Sequence, residues 1–202
     1  MKKFLLAITL SALAAPALAE FPVGKIGVKL SPSTDFDLDG LPEADGTAIG
    51  AYGEFGSSNL FAYADIQKSD LDIQNVDLDI DETRFGVGAR SVSSNGELSV
   101  RVESYDVEIV TSIAGASAED EDDGFAVHLG GAVNLNEKAA LFGSIGMLSL
   151  DDTDGTEFQL GVRGKITDSA EIYGAWRSLS LEEDSNVEAD LTDLRIGVNL
   201  LF

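Results

Sequence analysis

Apolar residues recur at every second position along most of the chain, and no window of helical length shows a 3.6-residue repeat. Thr47, Ile49, Ala51, Gly53 and Phe55 share one face, as do alternate residues from Phe125 to Val133, Phe158 to Ile166 and Leu194 to Phe202. The intervening positions are polar or glycine: Arg84, Gly86, Gly88 and Arg90 in one segment, Glu157, Gln159, Gly161, Arg163 and Lys165 in another. A period of two predicts β-strands with one face in an apolar medium. Short polar clusters at 57–59, 93–96, 136–138 and 167–169 alternate with longer acidic segments at 31–46, 70–82, 111–123, 151–155 and 182–190. Nine connections predict ten strands, or eight if two of the hairpins are loops. Soluble sandwiches do not usually sort their connections into one short set and one long acidic set. The pattern fits an all-β, antiparallel, up-and-down transmembrane β-barrel with short periplasmic turns and long acidic extracellular loops.

In such a barrel the apolar face meets lipid and the polar face lines the lumen. Aromatic placement agrees. Phe85, Phe125, Phe158 and Trp176 fall near the acidic ends of their segments, while Phe55 and Phe202 fall near the turn ends, giving two interfacial girdles. Parity then inverts above the upper girdle. Leu60, Ala62, Ala64 and Ile66 point outward, yet the same parity continues into Asp70 and Asp72. This marks the level where lipid ends and the wall continues into water. It places Leu71, Ile73, Val76, Leu78, Ile80, Val107, Ile109, Leu148, Leu150, Leu179 and Leu181 on the inside, as an extracellular apolar cap or the lining of an apolar pocket.

Residues 1–19 combine a lysine pair, an apolar run from Phe4 to Leu13 and Ala17-Leu18-Ala19. They read as a cleavable signal peptide, leaving 20–202 as one outer-membrane barrel domain. The whole chain carries a formal charge of −23, and −25 without that segment, which argues against nucleic acid as a partner. There is no cysteine, so the exported chain must hold together without disulfides.

The last strand, "DLRIGVNLLF", alternates apolar residues and ends on Phe202. It resembles the assembly signal of bacterial outer-membrane barrels, and "EIYGAWRSLSLEEDSNVEADLTDLRIGVNLLF" resembles the last hairpin of small barrels of the YfaZ and OmpA-like kind. The resemblance implies an outer-membrane location and insertion by the barrel-assembly machinery through the C-terminal strand. The surroundings would be outer-membrane lipid and lipopolysaccharide, and the state monomeric. It implies no catalytic residues and no cofactor.

Charge is sorted along the chain. The five acidic segments hold 24 of the 36 Asp and Glu residues and no Lys or Arg. Nine cations have lumen parity: Lys25, Lys29, Arg84, Arg90, Arg101, Arg163, Lys165, Arg177 and Arg195. They would meet Glu54, Asp65, Glu103, Glu157, Glu171 and Asp193 in a charge network that plugs a narrow barrel. The alternative is a narrow channel or transporter, for anions through the lumen or for hydrophobic solutes through the cap. An outer-membrane hydrolase is disfavoured. The sole histidine, His128, has Ala126 where omptin proteases carry an aspartate and Gly130 where lipid A deacylases carry a serine, so it lacks a general-base partner. His128 is read as one more member of the lumen network. "DFDLDG" offers Asp35, Asp37 and Asp39 in the spacing of a calcium loop, but its twelfth position is Gly46, not Glu. No dedicated metal site is expected, only loose association of divalent cations with the acidic segments.

Overall fold

The computed structural model describes residues 23–38, 42–73, 76–113, 116–151, 153–183 and 187–202. The expected signal peptide and Asp39 lie outside the described residues. Ten strands form one closed antiparallel barrel: β1 (Val23–Leu38), β2 (Ala44–Gly56), β3 (Leu60–Ile73), β4 (Val76–Ser93), β5 (Gly96–Ile113), β6 (Ala116–Asn134), β7 (Ala139–Leu150), β8 (Thr153–Thr167), β9 (Ala170–Glu183) and β10 (Glu188–Leu201). Each strand pairs with its sequence neighbours, and β1 pairs with β10, so no sheet edge faces lipid, where an unpaired backbone group costs several kcal/mol. The seam is tied at its base by hydrogen bonds of 2.8 Å from Gly24 N to Phe202 O and 3.0 Å from Phe202 N to Gly24 O.

The acidic segments are largely not loops. Strand pairing continues to Leu38 and Ala44, to Ile73 and Val76, to Ile113 and Ala116, and to Glu183 and Glu188, so the wall extends through 70–82, where the parity inversion implies it, and through most of the other acidic segments too. The reason is local. Aspartate alternating with Leu, Ile and Val keeps the two-residue period, and each extended segment finds its neighbour in register. The wall is uneven. β7 begins to pair at Leu150 opposite Gly124, so 116–123 of β6 stand higher than β7 and pair only with β5.

Pro32 sits at a bulge. The register of β1 shifts between Leu30 and Ser33 against β10 and between Ser31 and Thr34 against β2. Proline has no N–H for a ladder, and a bulge accommodates it. The extra residue flips parity: Lys29 and Ser31 are buried below it, Thr34 and Phe36 above it. Outside, Ile26, Ile49, Val87, Leu129, Met147 and Ile196 are exposed as a lipid-facing band. The girdle aromatics Phe55, Phe85, Phe125, Phe158, Trp176 and Phe202 are exposed on the same face, with the Phe158 and Trp176 rings 5.8 Å apart.

Candidate functional site

Inward-facing positions of neighbouring strands build two stacked layers across the lumen. The lower one is a charged plug at mid-height. Arg84 of β4 donates to Glu157 of β8 at 2.7 Å, to Glu82 at 3.1 Å and to Glu103 of β5 at 3.3 Å. Arg177 of β9 donates to both oxygens of Glu82, lies 3.2 Å from Glu157 through Nε, and reaches Asp193 of β10 at 3.5 Å. Tyr105 OH donates to Glu82 at 2.6 Å, Gln67 to the same carboxylate at 3.1 Å, and the Arg84 guanidinium lies 4.2 Å over the Tyr105 ring. Flanking pairs are Lys29 with Asp65 and Arg195 with Asp193. Arg84, Arg177, Glu82, Glu103 and Glu157 are all buried. Desolvating them is costly, and the shared carboxylates offset that cost by giving each guanidinium several acceptors.

His128 belongs to this plug. Its Nδ1 is 3.3 Å from Glu103 and its Nε2 3.4 Å from Glu157, and it is buried. Its inward neighbours along β6 are Ala126 and Gly130, so no hydroxyl or aspartate flanks it on its own strand.

The upper layer is the apolar cap. Leu71, Leu78, Ile80, Val107, Leu148, Leu150 and Leu179 are buried in one cluster, with Ile73, Ile109 and Leu181 packed against it. Leu71 stands opposite Leu78 and Ile80 opposite Ile109, so cross-strand pairs supply the packing. Val76, half-buried, lies at the top of β4 beside Ile73 and outside that cluster. Burying one such side chain contributes about 1.5–3 kcal/mol. Phe36, Leu191 and Tyr105 join from the adjoining strands. Phe36 lies in 31–46, which by sequence is an acidic connection; β1 instead runs on to Leu38, and the bulge at Pro32 turns Phe36 inward.

Glu82, the carboxylate that Arg84, Arg177, Tyr105 and Gln67 all approach, is absent from the lumen network expected from sequence, as are Gln67 and Tyr105 themselves. Inward Val76, Leu78 and Ile80 lead to Glu82 by simple parity, but it was counted with an acidic loop.

The remaining lumen charges lie towards the turn end, with Arg101 reaching the plug through Glu103. Lys25 and Arg90 each hold Glu54 at 3.1 Å. Arg90 stacks 4.4 Å over Phe61, Arg101 stacks 4.0 Å over Tyr63 and pairs with Glu103, and Glu171 accepts from Asn199 at 2.7 Å. Arg163 meets Glu97 at 3.8 Å, while Lys165 is exposed and makes no ion pair among the described residues.

On the outside of the upper wall carboxylates stand opposite one another: Asp70 with Asp79, Asp72 with Asp77, Asp81 with Glu108 and Glu108 with Glu121. Lys68 sits among them, 3.4 Å from Asp79, 3.6 Å from Asp81 and 3.9 Å from Asp70. A hydrogen bond with Asp79 raises the Asp70 carboxyl, and the charges of Glu119, Asp81 and Glu121 raise that of Glu108. Asp35 and Asp37 lie on β1 with outward parity, in extended backbone rather than a loop that could wrap an ion.

Residues 4–165 match the outer membrane protein β-barrel domain. The chain belongs to that family. Among solved structures it is similar to Neisserial surface protein A, at 10% identity and a TM-score of 0.55, covering 91% of this chain and all of that one. It is also similar to the translocator domain of the autotransporter NalP from Neisseria meningitidis, at 13% identity and a TM-score of 0.51, covering 91% and 89% of the two chains. At these identities the likeness shows the fold alone. No curated protein matches the chain.

Proposed function

We propose that this barrel is a closed, non-conducting element of the bacterial outer membrane that presents a tall acidic wall to the exterior. The reading rests on one observation: two layers of unlike chemistry, the Arg84–Arg177–Glu82 plug and the Leu71–Leu78–Ile80 cap, close the same lumen in series. Ions crossing it would have to displace buried ion pairs and then pass packed aliphatic side chains. The tall hairpins face outward and the short turns face the periplasm, as in other outer-membrane barrels. His128 serves the plug rather than a reaction, because both ring nitrogens face carboxylates that Arg84 already holds.

Single-channel recording of the folded protein in planar bilayers tests this. The expected record is a flat baseline at moderate voltage. Discrete steps that vanish when Arg84 and Arg163 are neutralised would overturn the closed reading in favour of a narrow anion pore.

A further inference from the structure

We propose that the turn end of the barrel is a blind binding pocket for a small organic carboxylate with a flat apolar body. A mouth of about 590 Å³ opens at that end, and a slot of about 160 Å³ lies behind it; the two share Lys25, Glu54, Arg163 and Glu171. Arg84 and Arg177 of the plug line the slot, so what enters cannot leave on the far side. Such continuous space is unexpected in a narrow barrel, where side chains normally fill the interior. It exists because Ser99, Gly130, Ala132 and Ser144 present small side chains on β5, β6 and β7. Tyr173 stands edge-to-face to both Tyr52 and Phe142, 6.1 Å between centroids each time, beside charged groups of the plug that line the same slot.

The charge of the mouth selects the ligand. Five cations, Lys25, Arg90, Lys138, Arg163 and Lys165, line it against three carboxylates, Glu54, Glu137 and Glu171; Glu54 is held by Lys25 and Arg90, and Glu171 accepts from the Asn199 amide. The other three cations are held less closely. Arg163 has a carboxylate no nearer than 3.8 Å, and Lys165 and Lys138 make no ion pair among the described residues. In a chain of net charge −23, this is a place where positive charge is left over. A planar carboxylate matches the guanidinium fork of Arg163 with Lys165 beside it, and an apolar ring behind that group fits between the aromatic rings and the small-residue wall. A bare inorganic anion would meet the same cations but leave the slot unfilled.

The test is calorimetric titration of the folded chain in detergent micelles with benzoate, benzylamine and inorganic phosphate, each against a micelle blank. Benzoate should bind saturably, phosphate more weakly, and benzylamine not at all. The double variant R163Q/K165Q should weaken benzoate about tenfold or more, since charged hydrogen bonds are lost. Ser144→Phe should abolish binding by filling the slot, with heat-modifiable gel mobility reporting that the barrel is folded. If Ser144→Phe does not fold, the mouth variant decides. Absence of saturable benzoate heat would overturn the proposal, as would equal binding of benzylamine or unchanged affinity in R163Q/K165Q. Conductance in bilayers would overturn the closed reading without altering these outcomes.

Discussion

In the hydrogen-bond register His128 on β6 stands opposite Gly146 on β7, and a Cβ on Gly146 would lie 2.3 Å from His128 Nε2. The imidazole therefore lies across the bare backbone of the neighbouring strand. Other inward rings repeat the arrangement: Phe61 faces Gly88, Phe142 faces Gly161 and Tyr173 faces Gly197. A ring laid over glycine covers the backbone and lets a large side chain turn along the wall rather than into the axis. The lumen thus holds rings and a plug together in ten strands.

Gly146→Ala should accordingly force the imidazole out of its place between Glu103 and Glu157. Overpacking of this kind costs about 1–3 kcal/mol. Gly53→Ala on the lipid face is the control, because the nearest atom to its Cβ would be 3.7 Å away. Urea unfolding of the two variants in micelles should show a lowered midpoint for Gly146→Ala and little change for Gly53→Ala. Equal midpoints would show that the ring–glycine contact carries no constraint.

The plug predicts a characteristic asymmetry. Arg177→Leu leaves Glu82 and Glu157 buried with fewer partners, and breaking a buried pair costs about 3–5 kcal/mol. Replacing both partners, as Arg177→Leu with Glu82→Leu, should recover a substantial part of that loss, since no uncompensated charge remains. Both are read from the unfolding midpoint. A double variant no better than the single would mean that the remaining acceptors of Arg84 carry the cost instead.

Much of this interior could be read from parity, and the exceptions are physical. Ten strands, the lipid face and the inward places of Arg84, Arg163 and Arg177 follow from a period of two that persists over long stretches. Glu82 was lost because acidic composition suggested a loop, although aspartate alternating with aliphatics still extends as strand when a neighbouring strand supplies register. Phe36 is hidden for the same reason, inside the acidic segment 31–46, and the bulge at Pro32 also reverses every later side chain on β1. The split of the lumen charges into a plug and a mouth was not legible at all. Parity places a side chain inside but does not set its height against residues on other strands.

Inside and outside of the upper wall are distinguishable with a pair of adjacent substitutions. Leu78 is buried opposite Leu71, so Leu78→Asp puts a charge into the cap and should make the β3–β4 hairpin sensitive to external protease in whole cells. Asp79 stands opposite Asp70 on the outer face, and Asp79→Leu removes a like-charge contact while adding an exposed apolar side chain. Its hairpin should stay resistant. More cleavage of Asp79→Leu than of Leu78→Asp would reverse the assignment of the two faces.

The outer carboxylates should also make the tall hairpins more stable in mild acid. Asp70 and Glu108 have carboxyls raised in the folded wall, by the hydrogen bond with Asp79 and by the charge of Glu119 respectively. A group whose folded pKa exceeds its unfolded value binds its proton more tightly when folded. Its stabilising contribution is therefore full below the unfolded carboxylate range, about 3.9 for Asp and 4.3 for Glu, and is lost as pH rises through the raised folded value. Once deprotonated, both groups face like charges across the wall. Amide hydrogen exchange of 69–73 and 106–113, corrected for intrinsic rates, should thus show greater protection at about pH 5 than at about pH 7. Asp70→Asn with Glu108→Gln should raise protection at the higher pH and flatten the difference. A pH dependence unchanged in that double variant would assign it to other carboxylates of the wall, and protection that grows with pH would refute the sign.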